Sequence, residues 1–540
     1  MCGIWFCLGD FCCANYHSYV NKIKNRGPED TMIQTIPKLG IMGFNRLAIN
    51  GLNKEGMQPM SVGPVIWMCN GEIYNWVSLA KTHDIKTTSN SDCEILGHLY
   101  LKYRDDLTTF FKLLDGVFAL IICDTERNTV IVGRDPYGVR PLYMGYNYLN
   151  PLNTHLSKKY FSSEIKGLVP LCRNIETFKP GTYRVFNSLT NICALDKRYH
   201  QTPFLKNPQY KDFFIASTAL RIALESAVEK RLLTERPIAC LLSGGLDSSL
   251  IASLVQKNLN RLGLPSLKTF CIGMPGSTDV AYARKVADFI KSDHTEIILT
   301  SQDFLDAIPH VIKDIESYDT TTVRASVGNW LVSKYIKEHS NCKVVFNGDG
   351  SDEIFGSYMY FYNAPNECEF ETEVCRLLDN IHYFDVLRSD RSISSHGLEP
   401  RTPFLDRQFV QVALSIATEH RRPIKDVIKE KYMLRRAFDD GLTLPEEVLW
   451  RKKEAFSDGV SGLEKSWYEI IQESIKVPEN WLEIAEEKYA YLTPKTREMF
   501  YYRSEFEKHY PNHERVVPYF WMPKWSPGAT DPSARTLKVY

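Results

Sequence analysis

Cys2 stands directly behind the initiator Met1 and ahead of Gly3. With Met1 removed, Cys2 would carry a thiol and a free α-amine on one residue. An α-amine has an ordinary pKa near ~7.7–8.0, so at neutral pH much of it can act as a base. It could take the thiol proton directly or through one water, which makes an activated nucleophile. A second set of residues suits such a nucleophile. Asn70-Gly71-Glu72-Ile73-Tyr74-Asn75 follows an apolar run, Val65 to Cys69. The Asn70 amide and the Gly71 N–H could together stabilise the oxyanion of a tetrahedral intermediate. Glu72 and Asp92 could hold an ammonium, and Arg46 could pair with a carboxylate through two parallel hydrogen bonds. An amino acid with a side-chain amide needs these four things. Each residue alone also has a plain structural reading, since Asn-Gly is a common hairpin turn and a buried thiol is usually inert.

A second constellation lies further along, Leu242-Ser243-Gly244-Gly245-Leu246-Asp247-Ser248-Ser249. It joins a buried apolar run to a helical pattern. Its glycines allow the N–H groups of Ser243, Gly244 and Gly245 to face one concavity that attracts anions. The helix N-terminus behind Ser248 adds its dipole. Asp247 would repel phosphate, so its plausible role is to bind magnesium. No G-x-x-x-x-G-K-[ST] motif is present, which excludes the common phosphate loop.

These residues need a frame. In the first ~200 residues short apolar runs recur between turn signals. They are Ile4–Leu8, Val65–Cys69, Val117–Asp124, Thr129–Val132 and Pro141–Met144. The pattern predicts an α+β domain of stacked antiparallel sheets over residues 2–200. A polar, aromatic stretch, Lys197 to Lys211, reads as a connection. From Asp212 strands and helices alternate, which predicts an α/β domain with a parallel sheet over residues 212–540. The expected strands are Ile238–Leu242, Thr269–Gly273, Glu296–Leu299 and Lys343–Phe346, with helices over Ser248–Asn258 and Val280–Ile290. After Tyr360 helices dominate.

Composition narrows the partners. Lys+Arg and Asp+Glu are equal at 65 each, so no net basic field favours nucleic acid. No apolar run approaches the roughly 18 residues of a membrane helix. The 14 cysteines form no C-x-x-C pair and no zinc-ligand spacing. Many sit in apolar runs as small hydrophobes, which suits a reducing, cytoplasmic setting. The N-terminus lacks a basic leader and reads as a first strand.

Met1-Cys2-Gly3-Ile4, Arg26-Gly27-Pro28, Arg46-Leu47, Asn70 to Asn75, Asp115-Gly116 and Gly133-Arg134-Asp135 resemble the class II, N-terminal-nucleophile glutamine amidotransferases, in the family's order. That resemblance implies sheets sandwiched between helices, and glutamine hydrolysis through a Cys2 thioester. It implies that Arg46, Leu47, Ala48, Ile49, Asn50, Asn70, Gly71, Glu72 and Asp92 bind glutamine. The Ser243–Ser249 loop is similar to the motif of enzymes that split ATP to AMP and pyrophosphate. The two halves together resemble the glutamine-hydrolysing asparagine synthetases. Ser317 to Ser326, His396-Gly397-Leu398-Glu399, Pro403 to Asp406 and Lys453 to Gly459 match that family. Trp521 to Trp525 and Asp531 to Thr536 are similar to its eukaryotic type. The resemblance implies ATP contacts at Leu242, Ser243, Gly244, Gly245, Asp247, Ser248, Ile272, Asn347 and Gly348, and magnesium at Asp247 and Asp352. Thr321, Thr322 and Arg324 would hold aspartate, and Lys453 would neutralise departing pyrophosphate. An internal ammonia tunnel and a homodimer are further family-level implications.

The sequence departs from the family in a few places. Asp349 stands where the family has a glutamate, about 1.5 Å shorter in reach, with Asn347 two residues before it. Asn50-Gly51 replaces a usual acid, and Pro400 and Thr402 replace apolar residues. Two other readings stay open at this point. One is an amidotransferase with another carboxylate acceptor. The other is a degenerate, non-catalytic homologue, for which Asp349 and Asn347 are the only support.

Overall fold

The computed structural model describes residues 1–9, 15–147, 158–202, 208–454, 459–462, 465–529 and 531–533. In the first half the alternation of side chains along each strand builds two six-stranded antiparallel sheets. One runs in the order Asn174–Thr177, Tyr143–Tyr146, Lys159–Ser162, Gly3–Leu8, Gly40–Arg46, Asp30–Ile36. The other runs Cys193–Arg198, Thr182–Asn187, Thr129–Arg134, Gly116–Asp124, Val65–Ile73, Met60–Val62. Ile4, Phe6, Leu8 and Phe44 point from the first sheet into Met68, Ala119, Ile121 and Val132 of the second. The intervening residues point outward. Trp5 and Cys7 pack on Val20 of the helix Tyr16–Lys22. Trp67, Cys69, Phe118 and Leu120 pack on Leu96, Leu99 and Phe111 of the helices Ile95–Tyr103 and Leu107–Leu113. The period-2 pattern therefore places helices outside both sheets.

The second half holds a parallel sheet in the order Asp293–Ile298, Lys268–Gly273, Ile238–Leu241, Val344–Phe346, Glu399–Arg401. Helices Leu246–Arg261, Thr278–Ile290 and Thr320–His339 flank it, and a helix-rich end follows. The expected strands and helices are present with ends shifted by no more than three residues, except at the end of Val65–Cys69. Two differences matter. The strand expected to stop at Cys69 continues through Asn70 and Gly71 to Ile73, so Asn-Gly is not a turn here. The strand Glu399–Arg401 had no apolar run to announce it.

The halves meet through buried charge. Arg26, fully buried, donates to Glu164 at 2.9 Å, to Asp390 at 2.7 Å and to the Cys2 carbonyl at 3.0 Å. Both Arg140 terminal nitrogens donate to the Pro400 carbonyl at 3.2 Å. The Glu316 carboxylate accepts from the N–H groups of Ile165 and Lys166, 2.9 Å each. Pairing of this kind is what allows charges to be buried at all.

Candidate active sites

The first site lies where the end of Gly40–Arg46, the start of the chain and the end of Val65–Ile73 converge. A small cavity of about 30 Å³ there is lined by Cys2, Arg46, Leu47, Ala48, Ile49, Asn50, Gly71, Glu72 and Asp92, together with Gln58, Cys69, Cys93 and Glu399. Eight of the nine expected glutamine-binding residues therefore surround one space. The ninth, Asn70, is fully buried, and neither its Nδ2 nor its Oδ1 has a partner among the described residues. A buried amide without a partner is costly unless a ligand completes it. Gly71 is required sterically, because a Cβ there would lie 2.2 Å from the Val117 carbonyl across the sheet.

Cys2 is half-buried and its Sγ lies 3.6 Å from the Leu47 carbonyl. Burial pushes the thiol up to about 11, opposed by the ammonium of Met1 alongside. The Met1 ammonium is itself brought down to about 6 by burial. In the chain with Met1 in place, the nearby amine therefore belongs to Met1, which is buried 3.4 Å from the Leu398 carbonyl.

Three carboxylates crowd the far wall. Burial, then Asp92 and Glu399, holds the Glu72 carboxyl well above its ordinary range. Burial raises Asp92 to about 6, while the Ile73 N–H, 2.7 Å from its Oδ2, opposes the rise. Asn50 donates to Glu72 at 2.8 Å. A further carboxyl at this position would crowd Glu72 instead of donating to it, so the wall favours the amide. Arg46 spends two N–H groups on the carbonyls of Gly51 and Asn53 while still lining the cavity.

The second site opens at the C-terminal ends of the parallel strands, where crevices of such sheets bind ligands. Its cavity of about 230 Å³ is lined by Ser243, Gly245, Asp247, Ser248, Thr321, Thr322, Asn347, Gly348, Asp349, Asp352 and Lys453 among others. Gly244 shapes the loop rather than the wall. It adopts φ +70°, and a Cβ would lie 2.5 Å from the Ala283 nitrogen. Asp247 and Asp352, 105 positions apart, share one buried ammonium: Lys431 Nζ is 2.5 Å from each. Lys453 Nζ adds 2.7 and 2.6 Å contacts to Asp352. Burial alone would raise Asp352, yet these two lysines hold it far below the carboxylate range.

Asp349 donates its backbone N–H to the Asn347 Oδ1 at 3.4 Å and accepts from Arg388 Nη2 at 2.9 Å. Its second carboxylate oxygen is buried without a partner among the described residues. Burial pushes its carboxyl up, opposed by Arg388. Asn347 reaches Ser389 at 2.6 Å, which anchors the shortened segment.

Three expected residues lie off this wall. Leu242 and Ile272 do not line this cavity. Both side chains are buried in apolar clusters, and it is Leu241 that faces the space. One residue of slip along a strand reverses the face. Arg324 is also absent from the wall. Its guanidinium is locked between Glu498 and Asp531, with bonds of 2.7 Å to Glu498 Oε1 and of 2.8 and 2.7 Å to Asp531. Of the expected threonines, Thr322 spends its hydroxyl on Asp319 at 2.7 Å. Thr321 Oγ1 has no partner among the described residues. Sequence reasoning missed Lys431, Arg388 and Arg451 on the wall. No local spacing links Lys431 to Asp247, 184 positions away. The stretch 455–458 of the Lys453–Gly459 motif, and 534–536 of the last motif, lie outside the described residues.

Comparison with known proteins matches these halves separately and then together. Residues 1–206 match the family model described as a glutamine amidotransferase domain. Residues 219–372 and 364–535 match the one described as asparagine synthase. The chain is 42% identical to a glutamine-hydrolysing asparagine synthetase of Cricetulus griseus, over all of this chain and 99% of that protein. It is 41% identical to those of Gallus gallus and Homo sapiens over the same shares.

Proposed function

We propose a division of labour for a chain that belongs to the family of glutamine-hydrolysing asparagine synthetases. The chain is an ATP-dependent ligase that makes L-asparagine from L-aspartate with glutamine as the amide donor, releasing L-glutamate, AMP and pyrophosphate. The observation that carries the assignment of residues is the gathering, around one cavity, of a thiol, an arginine and paired acids beside an unpartnered amide.

In the first site Glu72 and Asp92 take the glutamine ammonium and Arg46 its carboxylate. Removal of Met1 gives Cys2 its own amine as base. The Cys2 sulfur attacks the amide carbon, and Asn70 and Gly71 steady the oxyanion. The carbon–nitrogen bond breaks, ammonia leaves with a proton, and water then hydrolyses the thioester to glutamate.

In the second site the Ser243–Ser248 loop receives phosphate oxygens through its N–H groups. Magnesium fits here. Asp247 and Asp352 converge on one ammonium, and a pair of carboxylates completed by substrate phosphates is a usual set for that ion. When bound it would neutralise phosphate charge. Thr321 and Arg388, both on the cavity wall, meet the aspartate carboxylates, Arg388 through its unpartnered Nε while its Nη2 holds Asp349 and Asp385. Asp349 lies beside them on the wall. The β-carboxylate oxygen of aspartate attacks the α-phosphorus, and pyrophosphate leaves toward Lys453 and Lys431. Ammonia then displaces AMP from the acyl carbon. Ammonia would pass along the strand Glu399–Arg401. Glu399 lines the glutamine pocket, and the Arg401 carbonyl accepts from Asn347 of the nucleotide loop at 3.1 Å.

The test is asparagine formation from aspartate and MgATP, with glutamine and ammonium as separate donors. Product from both supports the whole reading and shows that Asp349 is tolerated. Glutamate release without asparagine would leave the first site standing and sink the second.

A further inference from the structure

The glutamine pocket holds two more thiols than its chemistry uses. Cys69 sits in the strand Val65–Ile73, one residue before Asn70, and Cys93 sits in the turn Asp92–Glu94, one residue after Asp92. Both line the cavity beside Cys2, and both are buried from bulk solvent, at 1% and 2% exposure. The Cys93 thiol is within hydrogen-bonding reach of the Cys69 sulfur. It also lies 3.8 Å from the Gly71 carbonyl and 3.6 Å from Asp92 Oδ2. Both backbones are tied down, Cys93 to the strand that carries Cys69. The Cys69 N–H donates to Gln58 at 2.6 Å, and the Cys93 carbonyl accepts from the Trp67 indole at 2.9 Å. Both also pack in the apolar cluster under the helix Ile95–Tyr103, and each is adjacent in sequence to a residue assigned above to the substrate.

We propose that Cys69 and Cys93 form an oxidant-responsive dithiol, closed to a disulfide by a peroxide, that switches off glutamine use and leaves ammonia use in place. The regulatory consequence rests on the glutaminase reading of this pocket. The pairing itself does not.

The chemistry balances with hydrogen peroxide as the oxidant. Cys93, kept protonated by burial and by the sulfur beside it, is the second partner. Cys69 is the first to react. Its sulfur attacks one peroxide oxygen, the oxygen–oxygen bond breaks, and the displaced hydroxide takes the thiol proton to leave as water. The Cys93 sulfur then attacks the sulfenic sulfur. The sulfur–oxygen bond breaks, and hydroxide leaves as a second water with the Cys93 proton. Two thiols are oxidised to one disulfide and the peroxide is reduced to two waters.

A disulfide draws two sulfurs to about 2.05 Å, well inside hydrogen-bonding separation. The strand that carries Asn70 and Gly71 is pulled toward the turn that carries Asp92, and Cys93 loses the hydrogen that faces the Gly71 carbonyl. A displacement of ~1 Å at a reacting centre costs on the order of a hundredfold in rate. Bound glutamine, filling the cavity, excludes the peroxide.

The experiment treats the full-length protein with hydrogen peroxide, alkylates the remaining thiols and maps linked peptides by mass spectrometry. Asparagine formation is followed with glutamine and with ammonium. The expected result is a Cys69–Cys93 linkage and an approximately hundredfold loss of the glutamine-dependent rate. The ammonium-dependent rate should stay within about twofold, dithiothreitol should restore the first, and glutamine should protect it. Cys69→Ser and Cys93→Ser, each compared with its own untreated rate, should lose the reversible inhibition. The dithiol is overturned if both sulfurs remain alkylatable after the rate has fallen, if the linkage runs to Cys2, or if the linkage forms with both rates intact. Untreated protein that turns over no glutamine would instead sink the reading of the pocket and, with it, the regulatory effect.

Discussion

The two cavities settle their charges in opposite ways. In the first pocket the polar groups are only partly met, Glu72 by Asn50 and by Arg401 at 3.6 Å, and Asp92 by the Ile73 N–H. Asn70 has no described partner, and Glu72 and Asp92 face each other with raised affinity for protons. In the nucleotide cavity the charges satisfy one another, since Lys431 and Lys453 neutralise Asp247 and Asp352. On the reading proposed above, the first site keeps its unpartnered amide and its paired acids for an amino-acid substrate in a small cavity. On the same reading, the second would exchange these internal ion pairs for its charged substrates, in a larger cavity. Pre-organisation is cheap where a sheet backbone supplies the donors and harder where highly charged ligands enter.

That contrast can be broken most sharply at Cys2. Cys2→Ala should lower glutamine-dependent asparagine formation by about 10⁴-fold or more, with the ammonium-dependent rate little changed. Equal loss with both donors would mean that the sites are not separable. The mirror change is Asp349→Ala, where synthesis from either donor should fall by roughly 10²–10⁴-fold while glutamate release persists. Asn70→Ala should cost the glutaminase step on the order of 10²–10³, because the amide that awaits the oxyanion is removed.

Two arginines sharpen the comparison within the second half. Arg324→Ala should destabilise the fold by about 3–5 kcal/mol, read by denaturant unfolding, because it strands Glu498 and Asp531. The aspartate KM of the folded fraction should hold. Arg388→Lys should instead raise that KM by about tenfold, about 1.4 kcal/mol, with little change in stability. The smallest effect is one of pH. Asp92, at about 6, must be ionised to hold an ammonium. As pH falls through 6 it becomes neutral, so the glutamine KM should rise severalfold toward acid, and Asp92→Asn should flatten the profile.

Much of this was legible from residue order. Short apolar runs between turn signals located Ile4–Leu8 and Val117–Asp124, and strand–loop–helix spacing located the Ser243–Ser249 turn. What was hidden depended on contacts distant in sequence. Lys431 gains its meaning only when the first turns of two helices bring Asp247 and Asp352 to it. Arg324 is drawn away by Glu498 and Asp531, 174 and 207 positions later. A buried strand is apolar on both faces, so pattern alone does not say that Leu241 rather than Leu242 borders the cavity. Glu399–Arg401 escaped notice because a three-residue strand with a central proline carries no periodic signal.

The buried charges between the halves bear on how freely such domains can be recombined. Arg26 joins Glu164 of its own half to Asp390 of the other, and Arg140 holds the carbonyl of Pro400. The glutamine-hydrolysing half is therefore not an interchangeable cassette. Grafted onto a different acceptor domain, it would arrive with arginines keyed to partners it had left behind, at a cost of about 3–5 kcal/mol for each broken pair. A chimera that keeps the stretch from Asp390 to Arg401 with the first half would bring its matching counter-charges along. The border that matters for engineering thus runs through the contacts between the lobes, well away from the peptide that links them.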